Sequence, residues 1–269
     1  MSGRSWWWLA APAAAVFLAF WLLPMIGLAW AGFSVRDGES AYLTVLTHSA
    51  YWRSLFNTVA LSLGSTLITL VLSLPVGRFL AWRPVFPGRR LLMAMLVFPL
   101  AFPGVVVGFF IILMAGRQGI ISAISRWLTG EPVVFAYGMG GLFLGYLYFS
   151  LPRTIGMISA AAQGIDPSLL EAGRSLGASP WRRFIDIELP ALMPALTGAG
   201  AISFATSMGA FGTAFTLAAQ IDVLPLTIYN EFTNYANIPV AAALSILLGA
   251  ASWAVMYVAH AGARMGATA

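Results

Sequence analysis

Six stretches of this chain contain no charged residue: Ser5 to Val35, Ser54 to Gly77, Leu91 to Gly116, Pro132 to Pro152, Leu189 to Ile221 and Phe232 to Ala263. They run from 21 to 33 residues each. A helix rises about 1.5 Å per residue and the hydrocarbon layer of a bilayer is about 30 Å thick, so roughly 20 apolar residues make one crossing. Each stretch is long enough. Composition agrees, because only 9% of the 269 residues are charged and 60% are apolar, whereas soluble domains carry roughly 25% charge. The expected fold is all-α: a polytopic membrane protein with six transmembrane helices and a cytoplasmic loop that meets a partner. The helices are expected at about 7–33, 55–77, 91–115, 133–152, 193–218 and 239–261. Helices satisfy their own backbone in lipid, where no water is present to do so.

Sidedness follows from arginine, since cytoplasmic loops carry the basic excess. Arg4, the loop with Arg78, Arg83, Arg89 and Arg90, the loop with Arg153, Arg174, Arg182 and Arg183, and Arg264 together hold 10 of the 14 basic residues. The alternate loops hold Arg36, Arg53, Arg117 and Arg126. Both termini are therefore expected in the cytoplasm. The formal charge of +5 is spread over these loops, so it reports topology and not nucleic-acid binding. Arg4, the first apolar run and Ala29-Trp30-Ala31 imitate a cleaved signal peptide. The run is about twice the usual 7–15 residues of such a signal, and a retained helix is expected.

Some chemistries are excluded outright. The chain has no cysteine and no lysine, which removes disulfides, thiolate metal sites, a lysine Schiff base and a P-loop of the GxxxxGK[ST] kind. If ATP drives this protein, another chain binds it. His48 and His260 stand far apart in sequence and do not suggest a metal site. No enzyme activity is expected, and no resident cofactor.

The fourth loop, Arg153 to Glu188, is the most polar long segment. Asp166-Pro167 is a helix start, because Asp accepts orphan backbone N–H bonds and Pro fits the first helical position. A short helix would carry Leu169, Leu170, Ala172, Gly173 and Leu176, with Gly177 suited to the left-handed stop. Ser179-Pro180 repeats the start before Trp181-Arg182-Arg183-Phe184. A surface helix with exposed Leu and Ala at helical spacing meets a partner or the lipid surface more often than it stays bare.

At this loop the sequence resembles the permease subunits of ATP-binding-cassette importers, of the type I fold. Their signature is Glu-Ala-Ala, three residues, Gly, nine residues, Ile, one residue, Leu-Pro. Here it reads Glu171-Ala172-Gly173, Gly177, Ile187 and Leu189-Pro190, with every spacing kept and Gly173 replacing the second Ala. Asn57-Thr58, Pro75-Val76-Gly77 with Leu80-Ala81, Pro99, Pro103 and Gly108, and Phe204 to Phe211 are similar too. The resemblance covers about 55–255. It implies a permease core over 55–261, preceded by an N-terminal helix and external loop over 1–54 and followed by a tail over 262–269. It also implies a coupling helix at about Pro167 to Leu176 seated on a cytoplasmic ATPase that holds ATP and Mg. A second permease, the same chain or a sister, and an extracytoplasmic solute-binding protein complete the expected set of partners, with membrane lipid around them.

Helix breakers and small residues are the candidate hinge or pathway positions: Asn57, Pro99, Pro103, Ser203, Ser207 and Gly209, with Pro190 and Pro194 at the entry to the fifth helix. Asp222 and Glu231, beside Tyr229, Asn230, Asn234, Tyr235 and Asn237, form an acidic and amide-rich external segment open to a binding protein. No ionisable residue is expected deep in a span, which argues against the alternative of a stand-alone channel or secondary carrier. Met208 to Thr213 and Leu224 to Tyr229 look like the branch of permeases serving polyamines, ferric iron or phosphonates. None of these residues selects a solute.

Overall fold

The fold was analysed in a computed structural model that describes residues 5–36, 39–217 and 222–267. Arg4 and the 218–221 end of the fifth charge-free stretch lie outside the described residues. Among the described residues the regular structure is helical apart from two-residue strands β1 (Val35–Arg36) and β2 (Glu39–Ser40), paired antiparallel with Val35 opposite Ser40. Five helical segments among the described residues have the length and composition to cross a membrane: Ala10–Ala31, Ser49–Trp82, Gly104–Thr129, Pro180–Met208 and Ile238–Ala259.

Backbone contacts divide the chain into two compact units. The first comprises Met1–Phe56 and Leu224–Ala250. It holds α1 (Ser5–Phe17) and α2 (Leu23–Ala31), joined by a π-helical turn, then the β1–β2 hairpin and α3 (Ala41–Thr47). It also holds the first turns of α4 (Ser49–Trp82), α13 (Leu224–Tyr229) and the start of α14 (Ile238–Ala267). Ser40 caps α3 by accepting from Leu43 N at 3.4 Å, and Tyr42 donates to the Ala29 carbonyl at 3.0 Å, tying α3 to α2.

The second unit comprises Asn57–Val223 and Ala251–Ala269. Along it run the rest of α4, α5 (Arg89–Val97), α6 (Gly104–Ala115), α7 (Ile120–Thr129), α8 (Met139–Gln163), α9 (Pro167–Ser175), α10 (Pro180–Arg183), α11 (Leu189–Met208) and α12 (Phe211–Leu217). Glycines set its closest packing. A Cβ on Gly108 of α6 would lie 2.5 Å from Thr216 Cβ, and one on Gly145 of α8 would lie 2.6 Å from Thr213 Cγ2. Thr213 and Thr216 donate to the Gly104 and Val105 carbonyls at 3.1 and 3.3 Å, so hydroxyls stitch α12 to the start of α6 where side-chain bulk is absent. This is the usual way for membrane helices to associate, since lipid competes equally for apolar surface.

Several expected boundaries move. The third span is not one helix: α5 passes through a 3-10 turn, Phe98–Ala101, and α6 starts afresh at Gly104. Phe102 is extended at ψ 135° because Pro103 disfavours the helical region for the residue before it. The fifth span breaks likewise between α11 and α12, at Gly209 and Ala210. The fourth helix does not stop at Pro152; α8 runs on to Gln163, so Arg153 lies within a helix and not in the loop. Its guanidinium Nη1 donates to Thr206 Oγ1 of α11 at 3.0 Å. Charge marks where lipid ends for a side chain, not where backbone hydrogen bonding ends, and an arginine stem can lie along apolar surface while its head finds polar partners.

Candidate coupling site and bundle joints

The fourth loop folds as its local chemistry dictates. Asp166 Oδ1 accepts from Ser168 N at 2.9 Å, Pro167 occupies the first turn of α9, and Ser179 Oγ accepts from Arg182 N at 3.3 Å to start α10. At the far end of α9, Gly177 takes φ +78°, the left-handed conformation a side chain disfavours. Ala178 N then donates to Gly173 O at 3.0 Å and Gly177 N to Arg174 O at 3.0 Å, a Schellman pattern that satisfies the last carbonyls.

α10 is not a free second helix. It passes through a π-helical turn, Phe184–Glu188, directly into α11, so Arg182, Arg183, Ile187, Leu189 and Pro190 belong to one continuous helical run. The separate loop is therefore short, 164–179. The extra residue of the π turn shifts the helix face between α10 and α11.

Burial sorts the residues of α9 onto two sides. Leu170 and Gly173 are half-buried toward α10, where a Cβ on Gly173 would meet Ile187 Cδ1 at 3.0 Å and Arg183 Cγ at 3.4 Å. That close approach accounts for glycine where the signature has alanine. Leu169, Ala172 and Leu176 form an exposed row three and four residues apart. Glu171 is also exposed, roughly opposite Gly173 around the helix. α9 thus presents an apolar stripe left exposed among the described residues.

Asp166 has its carboxyl held below the usual carboxylate range, chiefly by the backbone N–H of Ser168. A lowered folded value means that the cap is intact above the ordinary carboxylate range and is lost as pH falls through the lowered value. Protection of the Ser168 amide, taken relative to its intrinsic exchange rate at each pH, should accordingly fall on acidification in the parent protein and be low throughout in Asp166→Ala. An equally protected Ser168 amide in that variant would remove the cap from the account.

The hinge candidates divide. Pro99 sits in the 3-10 turn, Pro103 precedes α6 in extended conformation, and Gly209 ends α11, so these three lie at real helix breaks. Asn57 donates through Nδ2 to the Asp222 carbonyl at 3.0 Å and acts as a tether. Ser203 and Ser207 are buried on one face of α11, and Ser203 Oγ has no hydrogen-bond partner among the described residues. Within the first unit, Glu231 is buried and accepts from Tyr51 OH at 2.8 Å, so it does not offer its charge to the outside.

Sequence reading missed the joints that need two distant segments. Arg78 Nε donates to Glu188 Oε2 at 2.7 Å, and its guanidinium carbon lies 4.2 Å from the Phe184 ring centre. A buried hydroxyl row on α4, formed by Thr58, Ser62, Ser65, Thr69 and Ser73, was legible in principle from its spacing of three and four residues.

An all-helical fold with five segments among the described residues fit to cross a membrane, and a capped loop helix between two of its long helices, defines a polytopic membrane protein. The profile of the family described as binding-protein-dependent transport system inner membrane component matches residues 73–265, and the chain belongs to that family. It is 36% identical over 169 residues to the molybdenum transport system permease protein ModB of Escherichia coli (strain K12), covering 62% of this chain and 73% of that one. It is 27% identical over 227 residues to the sulfate transport system permease protein CysT of the same strain, covering 80% of each. It is 27% identical over 222 residues to the thiamine transport system permease protein ThiP of Brucella abortus (strain 2308), covering 81% of this chain and 41% of that one.

Among solved structures, a bacterial ABC transporter that imports alginate superposes with TM-score 0.76 over 97% of this chain and 96% of that one, at 22% identity. The MetNI methionine transporter gives 0.62 over 79% of this chain and 94% of that one, at 20% identity. These two likenesses concern the fold. The protein is an inner-membrane permease subunit of an ABC importer; it performs no bond chemistry itself and works with a separate ATPase and a solute-binding protein.

Proposed function

We propose that α9 is the coupling helix of this permease, with Leu169, Ala172 and Leu176 seated in the ATPase and Glu171 on a polar part of that partner. The observation that carries this reading is the exposed apolar row on a helix capped at both ends. Both termini and the 164–179 loop lie on the cytoplasmic side in this reading, supported by the arginine bias of alternate loops. ATP and Mg are held by the partner, since this chain has no lysine for a P-loop and no stretch suited to one. A two-state bundle moves solute only when something binds its states unequally. Nucleotide binding would draw the coupling helices together and turn the bundle outward, and hydrolysis would reset it.

For cargo, we infer a tetrahedral oxyanion of the molybdate and sulfate kind. The support is the identity to permeases named for molybdenum and sulfate, together with buried hydroxyls on α4 and α11 suited to donating hydrogen bonds to oxygen. Proteoliposomes holding the permease, its ATPase and its binding protein should accumulate labelled molybdate or sulfate only with ATP, and each anion should compete with the other. Uptake without an ATPase, driven by a gradient, would reject the importer reading. ATP-driven uptake of thiamine with indifference to both anions would reject the cargo alone.

A further inference from the structure

A coupling helix can push on a bundle through simple contact, but a return stroke needs an attraction that resists separation. Apolar packing in a membrane resists poorly, because lipid replaces the lost contact at little cost. A charge-assisted hydrogen bond in a low-dielectric setting resists well. The second unit contains one such bond at the place where force from α9 would arrive.

Gly173 of α9 lies against Ile187, and the next residue, Glu188, is only 7% exposed. Its Oε2 accepts from Arg78 Nε of α4 at 2.7 Å, while the Arg78 guanidinium stacks on Phe184. The π turn Phe184–Glu188 carries both partners of Arg78. Next to Arg78, Gly77 fits so closely against α8 that a Cβ would lie 2.8 Å from Ile158 Cγ2. One turn to either side, Leu74 and Ala81 pack on Ala162 and Ile165 at the end of α8 and on Leu192 of α11. The contacts therefore run without a gap from α9 through Ile187 and Glu188 to α4 and α8.

We propose that Arg78 and Glu188 are positioning residues forming the joint that carries displacement of the coupling helix into α4. With it, α4, the inner end of α8 and the start of α11 move as one body. This rests on the reading of α9 given above. A pair that merely stabilised the fold would, when broken, lose ATPase binding and motion together; a joint loses motion while the ATPase stays bound.

The chain has no cysteine, so a single environment-sensitive fluorophore can be placed on Val71→Cys, an α4 residue of the second unit that is 70% exposed. The labelled permease is reconstituted in proteoliposomes with its ATPase subunit, and the probes are ATP and ATP plus vanadate. In the parent, nucleotide should change the fluorescence. In Arg78→Gln and in Glu188→Gln the ATPase should still co-purify and hydrolyse ATP within about twofold of the parent, while the nucleotide response falls about tenfold or more. The charge swap Arg78→Glu with Glu188→Arg should restore at least about half of it. Arg78→Lys keeps the charge and serves where the Gln variants fail to accumulate. Its response should fall several-fold, because an ammonium cannot lie as a plane over Phe184 while donating to Glu188.

Parent-like responses in the Gln variants or in Arg78→Lys overturn the joint, as does loss of the ATPase together with the response, or no recovery in the swap. A parent permease that neither binds the ATPase nor responds to nucleotide overturns the coupling-helix reading instead.

Discussion

Leu169→Asp combined with Leu176→Asp should strip the ATPase from the permease and end ATP-driven uptake. Leu176 is 88% exposed and Leu169 52% exposed, yet both stand in one row with Ala172 on a helix fixed at both ends. A bare apolar stripe of this kind is stabilised when a partner takes it out of water. On the reading proposed above, two carboxylates in place of these leucines remove that burial and add desolvation of charge. Together the two changes should cost about 3 kcal/mol of association, roughly a hundredfold in affinity. The permease itself should still fold, since neither residue is buried within the chain. Co-purification of the ATPase and uptake in proteoliposomes are the measurements. Retention of the ATPase at parent strength would show that this row faces water during transport.

The second large effect belongs to Gly141, in the first turn of α8. A Cβ there would lie 2.1 Å from the carbonyl oxygen of Ala136 and 2.7 Å from its carbonyl carbon. Those are backbone atoms, and they cannot retreat. Phe135 N and Ala136 N both donate to the Ala115 carbonyl at 3.2 Å. Ser122 Oγ bonds the Gly116 and Val133 carbonyls at 2.7 Å each, and Val133 N donates to Ser125 Oγ at 2.8 Å. The segment entering α8 is thus tied to α6 and α7 along its length. Gly141→Ala should destabilise the permease by about 3 kcal/mol or more and sharply reduce its accumulation in the membrane. Gly138→Ala, three residues earlier, meets nothing within 4 Å at its Cβ and keeps an ordinary negative φ of −137°. It should behave like the parent in thermal unfolding. Equal accumulation of both variants would refute the clash.

Both effects bear on how the sequence could be read. The loop helix α9 was legible because its causes are local: Asp166 and Ser179 cap helices through donors two and three residues away, and Gly177 ends α9 within its own turn. The prohibition at Gly141 was not, because the obstructing carbonyl is placed by bonds to Ala115, some twenty residues upstream.

From sequence alone came the membrane class, the approximate place of most of the long apolar helices, the capped helix of the fourth loop and the family. Exclusion of charge from lipid and the pairing of caps with nearby amides act over one or a few turns, and such effects leave a periodic or spaced trace in the letters. Tertiary structure alone decided that the third and fifth spans are broken and that Arg153 reaches Thr206 from within α8. It also decided that Glu231 turns inward to Tyr51 and that Arg78 is joined to Glu188 across 110 residues. In each pairing a polar group chose a partner brought near by packing, and a hydrogen bond made through space leaves no spacing rule in the chain.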